Sequence, residues 1–256
     1  MYKSFTAEEY KKELNLPLDY KIEGFVSYGG WNDEKHTHDI LECLDNLGVK
    51  NTSRTLEGFF SHILEVTIEN KIYWFAIAYG GAVLSEYVHL ACIFGSKQNI
   101  HTGSCGGLFS EMNSLDFIIP TFTYGKESSA SMYDRENVNF KYYPDENLSK
   151  IIESKFENLY KVHKGPVISC HAMLGETGED VQSWSEQGYY AVEMETATMF
   201  AVSKHFNVPS SSFMYVGDNL IKGQVAGDES HILEKEQREN VRINMYKMAI
   251  EIILNK

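Results

Sequence analysis

Positive charge is scarce in this chain. Its 256 residues hold 23 Lys and Arg against 36 Asp and Glu, a formal net charge of −13, and such a surface repels a nucleic-acid backbone or an anionic membrane. Nucleic acid and membrane are therefore not expected partners, whereas small molecules are. No apolar run reaches membrane-spanning length, and the N-terminal M-Y-K-S-F-T-A-E-E-Y-K-K-E-L carries acids and lysines where a secretory signal would carry an apolar core. The expected location is cytoplasmic. Cys43, Cys92, Cys105 and Cys170 form no C-x-x-C pair, which suits reduced, structural thiols better than a disulfide or zinc framework. Neither a G-x-G-x-x-G nor a Walker loop occurs, and no repeat, linker or low-complexity segment interrupts the chain.

What is present fits one large α/β domain over residues 1–256: 43% hydrophobic and 13% aromatic residues give ample material for a core. Residues 1–18 read as an N-terminal arm, mobile or a short helix. Ile22 to Tyr28 reads as a strand ending at Gly29-Gly30-Trp31, followed by a helix from Glu34 to Leu47. Two β-rich runs between Thr52 and Tyr79 predict a hairpin. A helix over Leu84 to Phe94, a short strand over Asn99 to Thr102, the glycine-rich loop Gly103-Ser104-Cys105-Gly106-Gly107 and a strand over Asp116 to Pro120 come next. From Tyr124 to Asp145 the text is polar, tyrosine-rich and aperiodic, as in a surface loop used as a lid. Helix Glu146 to Leu159, strand Gly165 to Cys170 and a variable loop through Glu179 precede the most informative stretch. A long amphipathic helix over Glu229 to Leu254 ends the chain, its Met-containing stripe serving as core.

That informative stretch runs from Ala191 to Asn219, A-V-E-M-E-T-A-T-M-F-A-V-S-K-H-F-N-V-P-S-S-S-F-M-Y-V-G-D-N. It reads as strand end, helix, second strand and acidic loop. Met199, Ala201 and Val202 mark the helix, and Val208-Pro209 stops it. Glu193, Glu195 and Asp218 stand at the ends of apolar elements, where a carboxylate is costly to bury without a ligand or partner. The carboxyl ends of strands are also where α/β proteins bind ligands. A bland reading stands beside this one, in which the acids cap a helix and Asp218-Asn219 is a turn.

A-V-E-M-E-T-A-T-M-F-A-V, then F-N-V-P and V-G-D-N-L, resembles the hallmark of the nucleoside phosphorylase superfamily, the purine and uridine phosphorylases and the methylthioadenosine nucleosidases. H-T-G-S-C-G-G-L, His101 to Leu108, resembles that family's G-[ST]-[AC]-G loop. The purine enzymes are the nearest in pattern. The resemblance implies a single-domain three-layer α/β sandwich around a twisted mixed sheet, a homo-oligomer (dimer or trimer of dimers), and cleavage of a nucleoside N-glycosidic bond. Phosphate is then the co-substrate, with no other cofactor and no metal. By the same resemblance Glu195 takes the ribose hydroxyls, Met194 packs on the sugar and Glu193 supports the pocket. Asp218, as a protonated acid, donates to purine N7. Met173 falls where an aromatic stacks on the base, Cys105 and Gly106 lie in the binding loop, and His231 occupies the position of an arginine that assists the acid.

The phosphate site departs from the family pattern. Of its arginines only Arg54, in S-R-T-L-E-G-F-F, has a match, and it resembles one supplied by a neighbouring subunit. Gly29 and Ser104 would cradle the anion, with Arg54 and Lys35 or His101 adding charge. Two rival readings follow. A hydrolytic nucleosidase would activate water with Asp33 or Glu34, and a nucleoside-binding homologue would have lost turnover. Tyr28, Trp31 and Tyr133 are candidates for the base pocket, though packing roles suit each. The divergent pair His36 and His38 does not make a zinc site. Cys105 has no base beside it and reads as structural.

Overall fold

The computed structural model describes residues 2–126, 128–224, 227 and 234–255. Its strands are β1 Ile22–Gly29, β2 Thr52–Thr55, β3 Ile63–Ile68, β4 Lys71–Ala78, β5 Asn99–Gly107, β6 Phe117–Tyr124, β7 Lys141–Tyr142, β8 Val162–Ser169, β9 Ala191–Glu193 and β10 Ser210–Asn219. Its α-helices among the described residues are α1 Ala7–Glu13, α2 Asp33–Asn46, α3 Gly81–Ile93, α4 Glu146–Phe156, α5 Gly178–Glu186, α6 Thr196–His205 and α7 Lys235–Ile253. None is long and apolar enough to cross a membrane.

All ten strands join one mixed sheet in the order β10-β6-β8-β9-β5-β1-β4-β3-β2, with β7 on β6. Because β10 also pairs in parallel with β5, the strands β5, β9, β8, β6 and β10 close into a ring from which β1, β4, β3 and β2 fan out. Side chains alternate across this fan as the strand period requires. Val26, Tyr73 and Phe75 face one core with Ile40 and Leu44 of α2, Ile152 of α4 and Met245 and Ala249 of α7. Phe25, Trp74 and Ala76 face the other, with Leu84 and Val88 of α3 and Met199 and Phe200 of α6. Helix, sheet and helix are the three layers.

Several elements differ from the sequence-based expectation, each for a physical reason. β5 does not end at Thr102: it continues through the glycine loop, because Ser104 and Cys105 pair with Tyr215 and Val216 of β10. A helix, α5, starts at the end of the expected variable loop and runs over residues for which no element was expected. A capping box, in which Thr177 and Asp180 exchange side-chain and backbone hydrogen bonds, starts it. α6 is buried on all sides from Thr196 to Ser203, not on one face. The stretch expected to act as a lid packs on the body, since Ala130 and Tyr142 are buried in the α3–α6 core. Ile232 and Leu233, expected in the last helix, lie outside the described residues.

Candidate active site

The sheet's strand ends converge on a cavity of about 450 Å³, whose walls include Gly29, Ser104, Cys105, Gly106, Met173, Glu193, Met194, Glu195 and Asp218. A larger groove of about 800 Å³ lies between the N-terminal arm and α3. Size alone would favour the groove, but the smaller cavity is where carboxylates and glycine backbone meet, and convergent polar groups mark a site better than volume does.

Glu193 and Glu195 flank the β9–α6 corner and do different work. Glu193 Oε2 accepts hydrogen bonds from the backbone N–H groups of Glu195 (2.7 Å) and Thr196 (2.6 Å), and its Oε1 accepts from Ser169 Oγ. Ser169 Oγ in turn accepts from the Ala197 N–H at 2.9 Å. This pair satisfies the orphan donors at the start of α6, where a negative charge also suits the helix dipole. The capping reading therefore describes Glu193 well.

Glu195 reaches the opposite way. Its Oε1 accepts the Gly80 N–H at 2.6 Å, and Gly80 holds φ +87°, a conformation that favours glycine. A Cβ at Gly29 would stand 3.1 Å from Glu195 Oε2, tighter than ordinary contact, so glycine lets β1 pass here without displacing that carboxylate. Burial pushes the pKa of both glutamates up, and the Glu193 charge adds to the rise at Glu195. A ligand that donates hydrogen bonds to Glu195 would relieve that strain.

Asp218 arrives by a bulge. Val216 pairs with Cys105 and Asp218 with Gly106, leaving Gly217 outside the register. Such an extra residue re-aims the side chain that follows it, and Asp218 lines the cavity. Met194 and Met173 line it as well, Met173 being 44% exposed. Cys105 lies in the wall with its thiol pKa raised by burial, which leaves it unreactive.

Two of the four expected anion contacts are elsewhere. His101 is 1% exposed, shares a hydrogen bond with Ser27 Oγ through Nδ1 (2.9 Å), and burial lowers its pKa to about 3. It is a neutral core residue and brings no charge to an anion. Arg54 lies on β2, donates to Glu65 Oε1 at 2.8 Å and borders neither cavity of its own subunit. Gly29 and Ser104 both line this cavity and also an adjoining one of about 240 Å³. Lys35 and Arg242 line that neighbour, paired with Glu239 (3.0 Å) and Asp39 (2.9 Å) respectively.

Other candidates sort plainly. Trp31 lines both cavities and Tyr28 the smaller one, while Tyr133 is held by His89 Nδ1 at 3.0 Å beside the larger groove. Asp33 pairs with His62 Nδ1 at 2.7 Å and Glu34 is exposed; neither borders the cavity. His36 is buried against Tyr246 OH (2.8 Å), and His38 is exposed beside Asp39 and Glu42. Nitrogen and oxygen atoms of His101, Glu193 and Glu195 come within 4.8 Å of one another. An ion there would have to displace the amide donors already on both glutamates.

Sequence reasoning missed two charged residues of the wall. Arg238 of α7 is 8% exposed, its Nη1 3.5 Å from Glu234 and, among the described residues, making no hydrogen bond. His231, expected to stand in for the assisting arginine, lies outside the described residues, and Arg238 is the arginine that shares the cavity with Asp218. Its signal was a charge three residues before Val241 and seven before Met245, on the helix's apolar stripe. Glu176 is the second, and no sequence signal marked it.

Comparison with known proteins identifies the family and the fold. The family model described as the phosphorylase superfamily matches residues 32–254. A guanosine phosphorylase of Halorubrum lacusprofundi is 29% identical over 163 residues, covering 63% of this chain and 65% of that protein. A DeoD-type purine nucleoside phosphorylase of Alkaliphilus metalliredigens is 26% identical over 213 residues, 82% and 85% of the two chains. Among solved structures, a uridine phosphorylase of Vibrio fischeri superposes with TM-score 0.75 at 16% identity, covering 93% and 94%. An MTAN variant of Helicobacter pylori holding 5'-methylthioadenosine superposes with TM-score 0.67 at 18% identity, covering 91% and 99%. At such identities the two structures speak for the fold alone.

Proposed function

Since the chain belongs to the phosphorylase superfamily, we propose that it cleaves a purine nucleoside with phosphate, giving the free base and (deoxy)ribose 1-phosphate. One observation carries the reading: a single cavity holds Glu195, locked by Gly80 and Gly29, together with the bulge-directed Asp218 and with Ser104. A sugar with hydroxyl donors fits Glu195 and Met194, and a base accepting a proton fits Asp218. In the reaction a phosphate oxygen bonds to C1' as the C1'–N9 bond breaks, and its electron pair passes into the purine. Asp218 gives its proton to N7, so no full charge develops on the leaving base. Arg238, in the same wall, then faces the carboxylate that remains.

Phosphate would rest on Ser104 and the Gly29 backbone, with Lys35 and Arg242 supplying charge from the adjoining cavity and Arg54 from a neighbouring subunit of a homo-oligomer. No other cofactor or metal is needed for these steps. Four free cysteines suit a cytoplasmic enzyme. Hydrolysis is the less favoured reading, because Asp33 and Glu34 stand off the cavity wall. The test is product identification after incubation with inosine, guanosine, adenosine and methylthioadenosine, with and without phosphate. Base release that requires phosphate and yields a sugar 1-phosphate is expected. Free ribose at equal rate without phosphate would overturn phosphorolysis.

A further inference from the structure

Next to Glu195, Ser27 of β1 and His101 of β5 are fully buried and take part in no step of the reaction. The two residues face each other in the β1–β5 register, and Ser27 Oγ meets His101 Nδ1 at 2.9 Å. The other ring nitrogen, Nε2, lies 3.9 Å from Glu195 Oε2. Two glycines border the ring: a Cβ at Gly29 would stand 3.6 Å from His101 Cε1, and one at Gly103 would stand 3.8 Å from His101 Nε2. The imidazole therefore packs against bare backbone, with its Nε2 edge toward the carboxylate.

Hydrogen-bond satisfaction decides which nitrogen carries the proton. Burial lowers the His101 pKa to about 3, so the ring is neutral and holds one N–H. Were that proton on Nδ1, the Ser27 hydroxyl would accept it and find no acceptor for its own hydrogen among the described residues, and an Nε2 lone pair would face Oε2. With the proton on Nε2, Ser27 donates to Nδ1 and an N–H faces the carboxylate. Glu195 has room for it: Oε1 accepts the Gly80 N–H at 2.6 Å, but Oε2 has only the Met194 N–H at 3.3 Å. The titratable groups gathered about Glu195 are Glu193 of β9 and His101, all three with ligand atoms within 4.8 Å of one another. Gly80 after β4 and Gly29 at the end of β1 bring backbone alone. Glu193 disfavours a second negative charge, which leaves His101 as the side chain that favours one.

On the nucleoside reading, which this inference rests on, we propose that His101 is the positioning residue of Glu195: Ser27 fixes its tautomer, and its Nε2–H steadies Oε2 in the ionised form that takes the sugar hydroxyls. A contraction of ~1 Å completes the hydrogen bond, the kind of tightening that a bound substrate brings. His101 touches neither sugar nor phosphate and acts through the carboxylate alone.

The experiment is the pH profile of nucleoside kcat/KM at saturating phosphate, in the wild type and in His101→Phe, which keeps a ring and loses the donor. Activity that needs an ionised Glu195 rises with pH along the acid limb. In the variant that limb should move to higher pH by ~1 or more, the size of a lost hydrogen bond to a charged group. Near neutral pH the nucleoside KM should rise ~10-fold with the phosphate KM unchanged. His101→Gln, which returns an N–H donor, should bring the limb back toward that of the wild type. An acid limb that stays in place in His101→Phe overturns the assignment, whether the phosphate KM rises, which makes His101 an anion contact, or kcat alone falls, which makes its role structural. Should His101→Phe not fold, Ser27→Ala, which releases the tautomer, should move the limb in the same direction, and an unmoved limb there overturns it equally. If the wild type cleaves no nucleoside, the catalytic reading fails by itself. NMR titration of the Glu195 carboxyl carbon then decides the present point: a higher midpoint in His101→Phe upholds it, and an equal midpoint sinks it.

Discussion

The two walls of the cavity are built on opposite plans. The wall from β5 and the β9–α6 corner is interlocked, with amide or hydroxyl donors on Glu193 and Glu195 and glycines where chains cross. The other part of the lining, from the loop before α5, the end of β10 and α7, is assembled from distant segments carrying Glu176, Asp218 and Arg238. One wall holds a shape and the other meets the variable part of a substrate. Damage to the first should therefore appear as lost stability, and damage to the second as lost rate or altered choice.

The largest effect tests the first wall. Glu193→Ala strips acceptors from two buried backbone N–H groups and from Ser169 Oγ. At about 1–3 kcal/mol for each unsatisfied group, roughly 3–9 kcal/mol of folding stability should go, a large share of a typical domain's total. Denaturant unfolding measures it, and a loss below about 1 kcal/mol would show that the corner does not depend on this cap.

In the second wall Asp218→Asn should leave unfolding nearly unchanged and lower kcat for an unactivated purine nucleoside by ~10² or more, the scale of general acid catalysis. Unchanged turnover would remove Asp218 from the acid's role. A smaller effect blends the two plans. Because burial raises the Glu195 pKa above its unfolded value, the folded protein retains a proton that the unfolded chain has already lost. Ionisation therefore costs stability, and the cost grows as pH rises from the unfolded value through the folded one. Glu195→Gln should gain about 1 kcal/mol or more over the wild type at pH 8, less at pH 5, while ribose turnover falls. A variant equally destabilised at both pH values would contradict this.

The same contrast explains what could be read from the text alone. E-M-E and G-S-C-G-G are contiguous because one strand end or one glycine run supplies all their contacts, so the string itself carries the geometry. Asp218 was legible for the same reason, although the bulge at Gly217 that aims it was not. Arg238 shares a wall with Asp218 but is brought there by the packing of α7, and no spacing rule connects the two. Glu176 was invisible because its inward turn depends on the capping of α5 and on Cys170. His101 shows the converse failure: its place beside the glycine loop suggested a phosphate contact, but β5 is central to the sheet and its side chain lies in the core.

The smallest effect concerns a residue on neither wall. Arg54 is held by Glu65 at the sheet's edge, its side chain 63% exposed. Tyr20 and Trp74 also donate to that carboxylate. Loss of an exposed partner costs little, about 0–1 kcal/mol, so Arg54→Ala should unfold almost as the wild type does. If a neighbouring subunit uses this guanidinium to hold phosphate, the variant should raise the phosphate KM several-fold and leave the nucleoside KM in place. The change should be the same at every protein concentration that keeps the oligomer together. A phosphate saturation curve identical to the wild type's would mean that the anion site is complete within one chain. The charge on Ser104 and Gly29 would then come from Lys35 and Arg242 alone, and Arg242→Gln would become the substitution that separates nucleoside binding from phosphate binding.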